Sequence, residues 1–169
     1  MQNLHFYEID NQYINFLSRF EEHIFHNSKK SQENERKYIG ILFEINEIKY
    51  FVPLSSFKEK HKRLSESLDF VKVGNFAVLN LNNMIPVSES EYKLVDINKI
   101  INKAYKDLLE NERRIIASKS ELIRENAKAV YEHKIKNGNK SKLGKRCNDF
   151  LNLEKLCLEY SEKESKNKK

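Results

Sequence analysis

The segment richest in reactive side chains is PLSSFKEKHKR, residues 53–63, which follows an apolar run and carries two hydroxyls, three lysines, a histidine and an arginine. Cutting an RNA backbone without a metal ion requires deprotonation of the 2′-OH, protonation of the leaving 5′-oxygen and cations that hold the phosphorane charge. Ser55 and Ser56 could hydrogen-bond phosphate oxygens, and Lys58 could neutralise the phosphorane or accept a proton. His61 titrates near neutrality and could donate or accept one. The same composition is also typical of a solvated loop, so the residues alone leave both interpretations open.

Three residues nearer the N-terminus are candidate RNA contacts. Tyr13 lies in a predicted helix, where packing is the usual role of a tyrosine and stacking on a base is the alternative. Arg36 and Lys37 precede a predicted strand and form a cationic pair that either faces a phosphate or is solvated. We predict RNA binding for all three.

Two pairs in the C-terminal half are candidates for the same role. Ser118 and Lys119 stand where a helix is predicted to begin, because Ser118 with Glu121 matches a capping box, and exposed helix N–H groups also favour a phosphate. Lys145 and Arg146 belong to the basic segment NGNKSKLGKR. This segment is interpreted as a linker that either tracks an RNA backbone or carries solvated charge.

Length, composition and net charge limit the class of protein. The 169 residues, 39% hydrophobic and 33% charged, predict one domain (1–169) with its own core. A net charge of +6 favours an anionic partner such as nucleic acid without proving one. Two cysteines with no CxxC or HExxH pattern predict no disulfide framework, and we expect no metal or other cofactor. No signal-peptide pattern or membrane-length apolar run is found, so we expect a cytoplasmic protein without a membrane partner.

The first half of the chain predicts strands around one helix. Alternation over Leu4–Ile9 predicts a strand, Asp10 is the predicted N-cap of a helix to about Glu22, and residues 23–35 are interpreted as a loop. Further strands are predicted at Lys37–Ile45, Ile48–Leu54, Asp69–Val73, Phe76–Leu81, Met84–Val87 and Tyr92–Ile97. Asn46 and Glu47 make the first two of these a hairpin.

Helical spacing takes over in the second half. Apolar residues predict one helix over Ile97–Ile116, a second from Ser118 and a last one over about Asp149–Tyr160, with a disordered tail at 161–169. The fold class is therefore α+β, a twisted antiparallel sheet on which an N-terminal helix and C-terminal helices pack.

Three further segments carry a family resemblance. KYIGILFEINEIKYFVPLSS, LNLNNMIPV and IIASKS, in this order and spacing, resemble the ToxN/AbiQ family, the toxins of type III toxin–antitoxin systems. The resemblance extends from FYEIDNQYINFL through the C-terminal helices.

The resemblance implies a function, a partner and a fold. It implies an endoribonuclease that cuts adenine-rich RNA without metal and leaves a 2′,3′-cyclic phosphate. It implies inhibition by a repeat-derived antitoxin RNA, a pseudoknot, within a closed toxin–RNA ring that is expected to be a heterohexamer. A role in phage defence by abortive infection and a sheet resembling the MazF/Kid toxin core are also expected.

The resemblance also implies roles for individual residues. The family's serine after the Pro-Leu strand end falls on Ser56, its neighbouring hydroxyl on Ser55 and its following lysine on Lys58. Its loop histidine falls on His61, and its N-terminal tyrosine falls on Tyr13. Ser56, Lys58 and His61 are thereby the predicted catalytic residues.

Two positions depart from the family pattern. The family lysine before the long strand aligns with Arg36, while Lys37 stands beside it. Since arginine stays protonated at any working pH, phosphate binding is expected at Arg36 rather than proton transfer. An aromatic residue that some relatives carry before the histidine is Lys60 here, which removes any stacking at that position.

Two other functions compete with RNA cleavage. A non-catalytic RNA-binding protein would use the same basic surface and produce no new RNA ends. A DNA-binding regulator is the weaker alternative, because no helix-turn-helix spacing is found.

Overall fold

An antiparallel sheet forms the centre of the protein. A computed structural model describes residues 3–24 and 35–168. In chain order the strands are β1 (His5–Ile9), β2 (Tyr38–Gly40), β3 (Glu44–Ile45), β4 (Ile48–Ser56), β5 (Phe70–Val73), β6 (Ala77–Asn80), β7 (Ile85–Val87) and β8 (Tyr92–Leu94). They pair in the order β5-β6-β4-β2-β1-β8, with β3 and β7 also on β4. The long strand β4 is therefore the hub of the sheet.

Helices cover both faces of this sheet. They are α1 (Asn11–Ser18), α2 (Lys103–Ser118), α3 (Ser120–Asn137), α4 (Lys142–Arg146) and α5 (Phe150–Asn167). Successive strand residues point to opposite faces. Tyr50 and Val52 accordingly share a core with α2 and α3, whereas Phe51 packs in a second core with α1 and α5. The predicted α+β class, an antiparallel sheet with helices packed on it, is confirmed.

The β3–β4 hairpin is confirmed, but the predicted strand Lys37–Ile45 is interrupted. Asn46 and Glu47 both have positive φ (49° and 68°), the conformation of a tight hairpin turn. Between β2 and β3 the Leu42 N–H donates to Tyr50 O at 3.0 Å, and the Tyr50 N–H donates to Phe43 O at 3.1 Å. Leu42 and Phe43 thus lie opposite the single residue Tyr50, and this β-bulge divides the predicted strand.

Helix α1 begins as predicted and ends early. The Asp10 carboxylate accepts from the backbone N–H groups of Gln12 and Tyr13 at 2.9 and 3.2 Å, as an N-cap does. The helix ends at Ser18 rather than near Glu22, and Phe20 is exposed. The predicted loop at 23–35 lies mostly outside the described residues.

The C-terminal half contains more helix than predicted. Residues 97–99 form a short 3-10 turn and α2 begins only at Lys103, where the Asn102 side chain accepts from the Tyr105 N–H. The predicted disordered tail at 161–169 is wrong over its described part, because α5 continues to Asn167. The predicted basic linker is also wrong, since a 3-10 turn (Gly138–Lys140) and α4 order it.

Candidate functional site

The end of β4 carries the two serines on opposite faces of the sheet. Ser55 pairs with Val78 of β6, and Val78 also pairs with Lys72 of β5. Ser56 pairs with Ala77, which belongs to the core under α2. Directly opposed residues of an antiparallel pair point to the same face. Lys72 therefore shares a face with Ser55, while Ser56 lies on the α2 side.

The two hydroxyls also differ in their contacts. Ser55 Oγ accepts a hydrogen bond from Arg36 Nη1 at 3.2 Å, and the same nitrogen donates to Leu54 O at 3.1 Å. Arg36 thereby fixes the end of β4 from the segment that precedes β2. Ser56 is exposed, and its hydroxyl makes no hydrogen bond within the described ranges 3–24 and 35–168.

His61 sits in the 3-10 turn Glu59–Arg63 that follows β4. The ring nitrogen Nδ1 of His61 accepts from the backbone N–H of Lys58 at 2.8 Å, and the backbone N–H of His61 donates to Lys58 O at 2.9 Å. The imidazole packs between the rings of Phe57 and Phe70, with centroids 5.6 and 5.7 Å away. Since Nδ1 is occupied as an acceptor, only Nε2 is left to exchange a proton with another molecule.

Burial and three ammonium groups act on this imidazole. His61 is only 6% exposed, and its burial, with the charges of Lys60, Lys58 and Lys72, lowers its pKa below the usual 6.5. Both causes disfavour the charged ring. Lys72, whose charge acts on this imidazole, is a residue that the sequence analysis did not single out. Its alternation with Val71 and Val73 in β5 is the pattern that could have indicated it.

Lys37, a predicted RNA contact, is buried and forms an ion pair inside the protein. It is 4% exposed, and its Nζ donates to Glu8 Oε1 at 2.8 Å and to Glu35 O at 3.1 Å. The same nitrogen lies 5.8 Å from the centroid of the Tyr105 ring. RNA binding by Lys37 stays a prediction, and it would require this ammonium group to leave the Glu8 carboxylate.

Tyr13, another predicted RNA contact, is a packing residue. It is fully buried, and its hydroxyl donates to Pro86 O at 2.6 Å. Its ring meets that of Tyr160 edge-on at 5.1 Å, so the tyrosine joins α1 to β7 and α5. Stacking of a base on Tyr13 would require opening this core, so the structure gives Tyr13 a packing role and RNA binding there stays a prediction.

Ser118 and Lys119 lie at the break between α2 and α3, where Lys119, not the predicted Ser118, takes the N-cap position of α3 without a side-chain capping bond. The Ser118 hydroxyl donates back to Ile115 O at 2.6 Å, so no capping box forms. Lys119 Nζ donates to Glu66 Oε1 at 2.6 Å and to Lys72 O at 2.9 Å. The lysine predicted to hold RNA instead ties the helices to β5.

Arg146 has a comparable structural partner, and Lys145 does not. Arg146 Nε and Nη2 donate to the two carboxylate oxygens of Asp69 at 2.7 and 3.0 Å. Burial alone would raise the pKa of Asp69, but these bonds outweigh it and the net shift is downward. Lys145 is exposed, and its ammonium group makes no hydrogen bond or ion pair with the described part of the chain. Of this pair, only Lys145 keeps a charge fully available to RNA.

No group of metal-ligating side chains accompanies these residues in the described part of the chain. Within 3–24 and 35–168 no three His, Cys, Asp or Glu side chains are grouped so that they could hold a metal ion. None of the helices over these residues has the length and apolar character needed to cross a membrane.

Comparison with known proteins defines the class. The model of the toxin ToxN of type III toxin–antitoxin systems matches residues 5–157. The endoribonuclease ToxN of Bacillus thuringiensis subsp. kurstaki is 31% identical over 170 residues, covering 96% of this chain and 87% of the relative. The class is therefore that of bacterial endoribonuclease toxins.

Solved structures narrow this class to a family. The structure of AbiQ, a lactococcal anti-phage endoribonuclease of the type III class, is 26% identical with a TM-score of 0.80, covering 95% of this chain and 99% of that chain. A toxin structure from work on selective inhibition by a non-coding RNA pseudoknot is 29% identical with a TM-score of 0.82 and the same coverage. The chain belongs to the ToxN/AbiQ family.

Proposed function

We propose that the protein cuts adenine-rich RNA by metal-independent transesterification at the end of β4. The observation that carries the proposal is the exposed, unengaged hydroxyl of Ser56, which is followed within five residues by Lys58 and His61. Ser56 and Lys58 orient and neutralise the scissile phosphate. His61 Nε2 or Lys58 handles the proton.

The reaction conserves its atoms without a co-reactant. The 2′-oxygen loses its proton to the base and attacks phosphorus, forming the P–O2′ bond of a 2′,3′-cyclic phosphate. The P–O5′ bond breaks, and the leaving 5′-oxygen takes a proton. Charge accumulates on the phosphorane oxygens during both steps, so fixed hydrogen-bond donors and cations there stabilise the transition state more than the bound RNA.

The partner in the proposal is a small antitoxin RNA. It folds as a pseudoknot, occupies the site and closes with the toxin into a ring, a heterohexamer. The related structure described for inhibition by a non-coding RNA pseudoknot supports this partner. The description of AbiQ as an anti-phage endoribonuclease supports a role in phage defence. The likeness of the sheet to the MazF/Kid core stays a prediction.

The first test compares two neighbouring serines. Ser56→Ala is expected to lower RNA cleavage at least ~10²-fold, the usual effect of removing a donor to a transition-state oxyanion. Ser55→Ala is the matched control with a smaller effect, because the Ser55 hydroxyl is already engaged by Arg36. Cleavage of a purified RNA in EDTA, with mapping of the new ends, measures both.

The alternatives predict different results in this assay. Full activity of Ser56→Ala with loss of activity in Ser55→Ala would move the site to the opposite face of β4. Salt-dependent RNA binding by the wild type without any new RNA ends would favour the non-catalytic RNA-binding protein instead.

A further inference from the structure

Lys72 stands on the edge strand of the sheet, on the face that carries Ser55 and opposite the face of Ser56. Through their shared partner Val78, Lys72 and Ser55 point to the same side of the sheet, two strands apart. Two strand spacings amount to roughly 10 Å between backbones, a gap that a long lysine side chain and a bound phosphate can bridge. Phe70, two residues before Lys72, packs against the His61 ring. Lys72 and His61 therefore lie beside the same short stretch of β5.

The backbone of Lys72 is held at both polar atoms. Its N–H donates to Glu66 Oε1 at 2.9 Å, and its carbonyl accepts from Lys119 Nζ at 2.9 Å. Lys119 also donates to the same Glu66 oxygen at 2.6 Å. Because β5 ends the strand order, these side chains take the place of a further strand. This arrangement, the edge clamp of Glu66 and Lys119, fixes the position from which Lys72 projects.

The ammonium group of Lys72 has no such partner. Within residues 3–24 and 35–168 its Nζ makes no hydrogen bond or ion pair, although the residue is half-buried. Lys119 and Arg146, in contrast, each engage a carboxylate. The hydrogen bond from Lys119 and, more weakly, the charge of Lys72 lower the pKa of Glu66, but the Glu66 Oε1 is already bonded to Lys119 Nζ and to the Lys72 N–H. An ammonium group that makes no direct ion pair, on the face of Ser55 and close to His61, has the chemistry of a phosphate ligand.

We propose that Lys72 is a further substrate-binding residue, which binds a non-bridging oxygen of an RNA phosphate on the Ser55 and His61 side of the sheet end, with Glu66 and Lys119 as its positioning residues. The inference rests on the proposed function and adds to it a cation from a strand that lies outside the PLSSFKEKH turn. Lys58 and Lys60 supply charge from the turn after β4, and Lys72 supplies it from β5.

The test uses the full chain and a single-stranded adenine-rich RNA under single-turnover conditions. Lys72→Met is expected to lower cleavage roughly 10–100-fold, the loss of one charge-assisted hydrogen bond. Lys72→Arg is expected to retain cleavage within a few-fold, because it keeps the charge. Lys93→Met is the matched control, since Lys93 is a strand lysine on β8 at the other edge of the sheet.

A second readout separates binding from folding. Removing the Lys72 charge is expected to raise the pKa of His61, measured by NMR, whereas Lys93→Met leaves it unchanged.

The positioning role of Lys119 is tested by a double variant. Lys119→Met is expected to lower cleavage less than Lys72→Met does. Added to Lys72→Met, it is expected to lower cleavage little further, because Lys119 acts through Lys72.

The outcomes distinguish the inference from the function on which it rests. Unchanged cleavage and an unchanged His61 pKa in Lys72→Met, beside an inactive Ser56→Ala, overturn the inference alone. Equal cleavage by Ser56→Ala and the wild type overturns the proposed function and the inference together. Loss of cleavage in both Lys72→Met and Lys72→Arg also overturns the inference, since charge would then not be what the position supplies.

Discussion

The hydroxyl of Tyr13 shows how one side chain can join three elements. It donates to Pro86 O in β7 at 2.6 Å, while its ring packs against Tyr160 of α5. Burial raises the pKa of this phenol well above its usual value, so it remains a donor at any working pH. The role is structural, and a variant lacking only the hydroxyl can test it.

Tyr13→Phe is expected to lower the free energy of unfolding by about 1–2 kcal/mol, because it leaves the buried Pro86 carbonyl unsatisfied while keeping the ring. RNA cleavage at a temperature well below the unfolding transition is expected to stay at the wild-type rate. Urea denaturation and the cleavage assay measure the two effects. A stable Tyr13→Phe protein with impaired cleavage would favour the predicted RNA contact of Tyr13 over a packing role.

Sequence reasoning located the turn after β4 but not the partners of the other predicted cations. Ser55, Ser56, Lys58 and His61 are neighbours in sequence, so their proximity follows from chain connectivity. The partner of Arg146, in contrast, is Asp69, 77 residues away. Such partners depend on how elements pack, and residue type alone does not distinguish a lysine that pairs internally from one that binds phosphate.

At the scale of elements, helix α2 carries a buried acid, Glu112, on the side that packs against the sheet. Glu112 is 3% exposed, lies between the core residues Leu109 and Ile116, and its Oε2 has no hydrogen-bond partner in the described ranges. Desolvation raises its pKa from 4.5 to about 7. Because its pKa is higher in the folded protein, this carboxyl binds more protons in the folded than in the unfolded state. The free energy of unfolding therefore decreases as the pH rises from 4.5 to 7.

Glu112→Gln is expected to remove this dependence. At pH 8 the variant should exceed the wild type in free energy of unfolding by about 2–3 kcal/mol, and near pH 4.5 the two should be close. Denaturant unfolding across this pH range measures the difference. Glu121→Gln, on the exposed start of α3, is the control with no such effect, and parallel wild-type and Glu112→Gln curves would contradict the assignment.

Element boundaries were predicted well where a cap or turn residue fixes them. Asp10 begins α1, Asp149 begins α5 with its carboxylate on the Asn152 N–H, and Gly74 (φ 57°) stands in the β5–β6 turn. The bulge within Lys37–Ile45 has no comparable residue, because it is set by pairing to β4. The last turns of α5 are polar and largely exposed, so apolar periodicity could not indicate them.

At the scale of the whole molecule, the net charge of +6 does not show which cations are free to bind RNA. Lys37, Lys119 and Arg146 each form an ion pair with a carboxylate. Three ammonium groups, those of Lys58, Lys60 and Lys72, act together on His61. These three ammonium groups form one cluster of positive charge beside the end of β4, while other exposed lysines, Lys145 among them, lie elsewhere on the surface.

This cluster predicts the salt dependence of RNA binding. If Lys58, Lys60 and Lys72 each neutralise one phosphate, the logarithm of the affinity for single-stranded RNA should fall with log salt at a slope of roughly −2, about a 20-fold loss between 50 and 200 mM. The measurement uses Ser56→Ala protein, so that the RNA stays intact. Adding Lys72→Met should reduce the slope by roughly 0.7, whereas adding Lys93→Met should not change it. A slope that Lys72→Met leaves unchanged would show that RNA phosphates bind elsewhere on the protein, with the exposed Lys145 segment as the next surface to vary.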